Sequence, residues 1–307
     1  MRQRRAFDLR TKAFTAASSS AVGSSGGCSG KVARGFGAQI ALVRPEPQAP
    51  ALPVSVESLR SFGENAVVPG RVLFSSVSGS HLYGFPSADS DVDLRGAFVA
   101  PLRSVLSLRS QTETLERNGH IDGVLIESVF HEVAKYFRLL AKGNGYVIEQ
   151  ILSPIGIARS SHYEALHRLA PRFMTKRTIL GHYNGFSATQ LSLVRRHPHK
   201  EVKLILYAFR VLMTGIYALR TGKIEANLLV LNDTFRFDFV DDLVRMKLER
   251  ENSPIASGGH ATDWYLQKAE ELRTVLKDEA ERSTLPDEAE SGAFSELDDL
   301  LYAIRSG

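Results

Sequence analysis

The chain has 307 residues, 43% of them hydrophobic and 23% charged, an ordinary globular balance with room for one large domain or two smaller ones. Its single cysteine, Cys28, excludes a disulfide framework and a thiolate zinc site. The formal charge of +4 is set by residues 1–50, which carry eight basic and two acidic residues; the rest holds 30 basic against 32 acidic, so a large uniform nucleic-acid groove is not indicated.

Residues 1–50 are rich in Ser, Ala, Gly and Arg and show no sustained period, which predicts a disordered tail. The same composition also reads as an organellar transit peptide, a nucleic-acid-binding arm, or a start assigned too far upstream. Pro45-Glu-Pro-Gln-Ala-Pro50 reads as a stiff linker, so residues 1–53 are expected to lie outside the fold. Ser55–Phe62 reads as a short helix, and Arg71–Val77 and Val92–Ala100 as buried strands. Thr112–Glu116 reads as a weak strand and Ile121–Glu127 as a third good one. Ser128 is placed to cap a helix whose apolar stripe is Val129, Val133, Phe137, Leu140 and Ala141, ended by Gly143. Tyr146–Leu152 reads as one more short helix, stopped before Pro154.

From Ser161 onward the pattern is helical: a helix from Ser161, another beginning or kinking at Pro171, then Leu180–Arg196, Lys200–Thr221, Asp241–Arg250 and Asp263–Lys277. A loop over 285–292 precedes a final helix capped by Ser295. The expected plan is α+β: a small mixed β-sheet core with flanking helices over residues 54–154, followed by a helical domain over 155–307. No uninterrupted apolar run approaches the roughly 18 residues that span a bilayer, so no membrane partner is expected. The cysteine usage fits a reducing, cytoplasmic compartment.

The informative spacing is Gly79-Ser80, ten residues, then Asp91-Val92-Asp93. A Gly-Ser pair closes one apolar strand, turn residues follow, and the two aspartates open the next strand. Side chains alternate along a strand, so Asp91 and Asp93 share a face about 6–7 Å apart. Two such carboxylates suit a hard divalent cation, Mg²⁺ or Mn²⁺, with oxygen ligands. Gly79 allows close backbone approach, and Ser80 can offer its amide and hydroxyl to phosphate. Arg95 falls on the aspartate face by period two, suited either to phosphate or to an ion pair that orders the strand. A two-metal site is completed by a third carboxylate from a neighbouring strand. Asp122 and Glu127 are the candidates, one opening and one closing the third strand.

Gly-Ser-His-Leu-Tyr-Gly-Phe-Pro-Ser-Ala-Asp-Ser-Asp-Val-Asp-Leu-Arg-Gly, residues 79–96, resembles the signature of the nucleotidyltransferases related to DNA polymerase β. The trailing Arg95-Gly96 and the later Lys142-Gly-Asn-Gly-Tyr-Val-Ile-Glu-Gln150 resemble one branch of them, associated with an RNA-repair pathway. The resemblance covers residues 54–222 well and the rest loosely. It implies a nucleotidyltransferase core that uses Mg²⁺ and an NTP, ATP among the choices, on an acceptor such as an RNA 3′ end. Counted back from Lys142-Gly-Asn144, Glu127 falls where that branch has an acid, which favours it over Asp122 as the third ligand. A nucleotide-binding regulator or antitoxin-like partner with little catalysis is the other reading.

Lys203, Tyr207 and Arg210 fall at i, i+4 and i+7 of one helix and share a face. The resemblance implies a helical-domain lysine over the triphosphate, which suits Lys203, with Arg210 as a fork; a solvated face is the bland alternative. Lys135, Arg138 and Lys142 read as a surface row. Asn144 reads as a turn residue, Glu149 as a family acid or a local ion-pair partner, and Tyr183 as core or base-stacking ring. His197-Pro-His199 lacks a third ligand at zinc spacing. A protein shortened to begin at Pro53 is expected to keep its melting temperature and NTP affinity; a large drop in either, by thermal scan or titration, would show that the first 50 residues pack on the fold.

Overall fold

The computed structural model describes residues 51–108, 112–197, 201–249, 254–255 and 260–307; the expected tail, Cys28 and His199 lie outside them. The first part of the described chain runs α1 (Val56–Ala66), β1 (Arg71–Ser78), α2 (Gly79–Tyr83), β2 (Val92–Val99), α3 (Leu102–Val105), β3 (Thr114–Ile121) and β4 (Val124–Glu132). It continues with α4 (Val133–Ala141), α5 (Gly145–Ile151), β5 (Gly156–Arg159) and α6 (Tyr163–Leu169), then a 3₁₀ turn over Ala170–Phe173. The remaining helices are α7 (Lys176–Val194), α8 (Glu201–Thr221), α9 (Leu228–Phe235), α10 (Asp238–Glu249), α11 (Thr262–Arg282) and α12 (Ala293–Ser306). The α+β plan expected from the sequence is the plan observed.

The five strands form one mixed sheet in the order β3-β4-β2-β1-β5, with β2 and β4 parallel and the other pairs antiparallel. The sheet extends past residue 154, because β5 returns to pair with β1. Gly63 of α1 packs on one face, where an added Cβ would lie 3.2 Å from both Leu94 and Phe130. On the other face Ser76 Oγ donates to Gln150 O of α5 at 2.9 Å, and Phe74 meets the Tyr136 ring of α4 edge-on. Both faces of β2 are therefore covered, consistent with the almost continuous burial of its residues.

Two local expectations are corrected. The strand expected over 121–127 is interrupted by a two-residue hairpin turn at Asp122 and Gly123, with φ of +50° and +81°. Asp-Gly is the residue pair such turns favour, because both positions need positive φ. The helix expected from Ser128 begins only at Val133; Ser128 lies within β4, and Glu132 caps the helix by accepting from Ala134 N at 2.8 Å. In β4, Ile126, Ser128, Phe130 and Glu132 are buried in strict alternation, and the strand pairs on both sides, so period two prevails over the shorter helical stripe. Asn144 caps α5 through Tyr146 N and Val147 N, and the positive φ of that turn falls on Gly143.

The helical region is built around α8, against which α7, α9, α10 and α11 pack. α9 was not legible as a separate helix; its N-cap is Asn227. By length and composition α8 could cross a bilayer, contrary to the expectation drawn from uninterrupted runs: Lys203 and Arg210 break the runs, yet the flanking apolar residues keep the mean hydropathy of the window high. It is 78% buried inside the protein over that window, as a core helix is.

Arg210 departs from its expected place in a cleft. It is 1% exposed, and its Nη1 donates to Glu149 Oε1 and Oε2 of α5 at 2.9 and 2.8 Å. Tyr183 Oη donates to the same Glu149 Oε1 at 2.9 Å, and the guanidinium lies 3.9 Å from the centroid of the Tyr83 ring in α2. Both Glu149 and Tyr183 are thus core partners of Arg210, and the fork expected to meet phosphate is occupied by protein. Arg210→Met, which leaves the Glu149 carboxylate buried without its counter-ion, is expected to cost about 3–5 kcal/mol in urea unfolding; a loss under about 0.5 kcal/mol would show the pair to be dispensable.

Candidate active site

β1 and β2 place Ser78 directly opposite Asp93, and the chain then turns into α2 through Gly79 at φ +66°. A Cβ on Gly79 would lie 1.9 Å from Asp93 Oδ2, so only glycine permits the turn to close on that carboxylate. Gly84 ends α2 at φ +87°, and a Cβ there would lie 2.3 Å from Asn227 Oδ1, the cap of α9. The signature turn is thus pressed between an acid of the sheet and a cap of the helical region.

Asp93 and Glu127 are register partners on the parallel strands β2 and β4, which sets their Cα atoms side by side. Asp122 lies on the exposed hairpin turn, five residues earlier on the chain, about 16 Å along an extended strand. Of the two candidates for a third ligand, Glu127 is therefore the one brought beside Asp93. Arg95 is 5% exposed, forms an ion pair with Asp93, and donates to the Leu94 and Glu127 carbonyls. It supports the acidic strand from within. Asp91 stands just before β2 and is half-buried. Among the described residues no group of three or more His, Cys, Asp and Glu side chains is arranged to hold a metal ion.

Ser80 and His81 are 5% and 4% exposed, and among the described residues the buried Ser80 hydroxyl has no hydrogen-bond partner. Burial pushes the His81 pKa down; Asp93 opposes that shift and Lys247 adds to it. Tyr207 meets the rings of Tyr83 and Phe85 edge-on, with centroids 5.5 and 5.8 Å away. Its hydroxyl is pushed well above the ordinary phenol range by burial first, then by Tyr83, Asp93 and Asp91. Lys203 is half-buried one turn earlier on α8. Of the three residues expected to line the cleft from α8, Tyr207 packs on Tyr83 and Phe85 and Arg210 is withdrawn into the core.

Sequence reasoning missed Lys247 of α10. It is fully buried, and its Nζ donates to Ser87 Oγ at 2.9 Å and Ser90 Oγ at 3.1 Å in the turn before Asp91. The signal was faint: one lysine on an amphipathic helix, at a position of the apolar stripe beside Val240, Leu243 and Val244.

A mixed sheet with an acid pair at the start of one strand, an acid on the parallel neighbour and a Gly-Ser turn closed on Asp93 is consistent with a nucleotidyltransferase fold of the polymerase β type. Residues 54–303 match the RNA repair pathway DNA polymerase beta family (RlaP), and the chain belongs to that family. Protein MJ0002 of Methanocaldococcus jannaschii is 27% identical over 186 residues, covering 58% of this chain and 74% of the relative. Protein YcgL of Bacillus subtilis is 23% identical over 155 residues, covering 50% of this chain and 58% of the relative, so the chain spans little over half of that protein. A nucleotidyltransferase-like protein from Exiguobacterium sibiricum, solved by crystallography, is similar with a TM-score of 0.30 and 12% identity over 81% of this chain and 79% of that one.

Gly79→Ala is expected to be destabilised by at least the cost of a left-handed Cβ, about 1–2 kcal/mol, with a further increment for moving Asp93. Urea unfolding checks this, and a wild-type free energy would mean that the turn relaxes away from Asp93 at no cost.

Proposed function

We propose that this protein is a Mg²⁺-dependent nucleotidyltransferase that moves an NMP from an NTP to an acceptor hydroxyl, an RNA 3′ end in the setting its family suggests. The observation that carries the reading is the register pairing of Asp93 with Glu127 beside a Gly79-Ser80 turn whose buried Ser80 hydroxyl has no partner among the described residues. Asp91, Asp93 and Glu127 offer only carboxylate oxygens, the donor set that Mg²⁺ or Mn²⁺ takes, and they would hold it. When bound, such a metal supplies charge stabilisation at the phosphoryl oxygens.

The residues of the chain do the rest. Gly79 and Ser80 bind phosphate through backbone amide and hydroxyl, in an enclosed turn where such contacts are stronger than in water. Arg95, anchored on two carbonyls, orients the Asp93 carboxylate. Tyr207 walls the site from α8, and Lys203 on the same helix is suited to a phosphate as a point charge. The reaction forms a bond between the acceptor oxygen and the α-phosphorus and breaks the bond to pyrophosphate. A second reading, a nucleotide-binding regulator with little turnover, is favoured by one observation: the Asp93 carboxylate is engaged by Arg95, and among the described residues no three-acid cluster is assembled.

Incubation with each labelled NTP and an RNA oligonucleotide, with the protein itself as control acceptor, separates the two. Asp93→Asn is expected to keep the fold and to lower transfer by about 100- to 1,000-fold, the scale of lost electrostatic stabilisation. Equal turnover in wild type and Asp93→Asn would overturn the assignment, and nucleotide binding without transfer would favour the regulator.

A further inference from the structure

Lys247 is among the largest fully buried side chains of the protein, yet it lies in the helical region, far in sequence from the acids. A buried ammonium is expensive unless hydrogen-bonded, and an apolar side chain of similar volume often stabilises as well or better. Two serine hydroxyls of the signature loop, 157 and 160 residues earlier in the chain, accept from its Nζ. Those hydroxyls form a closed knot. Ser87 N donates to Ser90 Oγ at 2.9 Å, Ser90 N donates to Ser87 O at 3.0 Å, and the two Oγ atoms are 3.0 Å apart. All three residues, Ser87, Ser90 and Lys247, are buried. Ser90 is followed at once by Asp91, and β2 starts at Val92.

We propose that Lys247 is a positioning residue for the acidic pair: its buried ammonium fastens the Ser87–Ser90 knot to α10 and so fixes the backbone from which Asp91 leaves. This rests on the function proposed above, in which Asp91 and Asp93 hold the metal. Ammonium and serines determine where the carboxylate stands without touching substrate. Ser87 Oγ accepts a hydrogen bond from Nζ while its own backbone N–H donates to Ser90 Oγ, so the bonds are mutually directed and hold the turn in one conformation. Through this side chain α10 reaches the turn that leads directly into Asp91. Displacements of about an ångström at such a site cost about 100-fold in rate.

Lys247→Met tests this, since methionine fills the space without the charge. The expected result is a melting temperature equal to or above wild type with kcat lowered about 100-fold and KM for NTP changed less than about three-fold. Mn²⁺ affinity, read by electron paramagnetic resonance titration, is expected to weaken about ten-fold, the scale of a lost supporting contact. Amide exchange is expected to speed up over residues 85–93 and nowhere else. Wild-type kcat and Mn²⁺ affinity in a folded Lys247→Met would overturn the proposal, as would an activity loss that merely follows a lower melting temperature with unchanged exchange over 85–93. If that variant does not fold, Ser87→Ala and Ser90→Ala each remove one acceptor, and each is expected to reproduce part of the kcat and Mn²⁺ loss; wild-type values in both would overturn it. Should wild type neither bind Mn²⁺ nor transfer nucleotide, the proposed function fails, and the exchange comparison decides by itself whether Lys247 fixes the loop.

Discussion

The ion pair between Arg210 and Glu149 fixes everything that surrounds the site. Glu149 stands on α5, where its neighbour Gln150 is bonded to the sheet, and Arg210 stands on α8, around which the helical region is built. The guanidinium also lies over Tyr83 of the Gly-Ser turn. Sheet, turn and helical region therefore share one desolvated contact. Such a contact returns little net free energy against its desolvation cost, but it discriminates strongly against arrangements in which either charge is left unpaired. Its contribution is to specify how the layers meet.

Around that contact the acids are constrained from three directions. Gly79 closes on Asp93 from β1, with no space for a side chain. Arg95 holds Asp93 from within β2 and fastens itself to the carbonyl of Glu127 on β4. Lys247 reaches the preceding turn from α10. Each restraint comes from a different element, so the acid pair has few ways to move independently of the fold. This is the preorganisation that electrostatic catalysis of phosphoryl chemistry requires, since dipoles already aimed need no reorganisation at the moment of reaction.

The spacing of Gly79-Ser80 and Asp91-Val-Asp93 was enough to anticipate two strands and the turn between them, because the pattern is local and period two is strong there. Glu127 could be named, but its pairing with Asp93 could not be reached from residues alone: a parallel neighbour is a long-range fact. Asp122, ranked only slightly below Glu127 from sequence, moves to an exposed turn once the Asp-Gly pair is read as a hairpin. Arg210 was misplaced because a basic residue on a helix reads as a wet face unless its partner is known, and Glu149 is 61 residues away. Lys247 was invisible for the same reason, being a lysine in an apolar stripe with acceptors on the far side of the chain.

α8 has a consequence that concerns the making of the protein. It is a rod of about 30 Å, apolar enough to be mistaken for a bilayer span, and it emerges from synthesis before α9, α10 and α11 exist to cover it. Until α11 docks, only α7 among the long helices shields it. A chain interrupted between residues 222 and 262 would present a greasy surface to membranes, chaperones and its own copies. Premature termination or proteolytic nicking in that interval should therefore be felt as insolubility, and the last third of the sequence serves as the cover without which the middle third cannot remain in water.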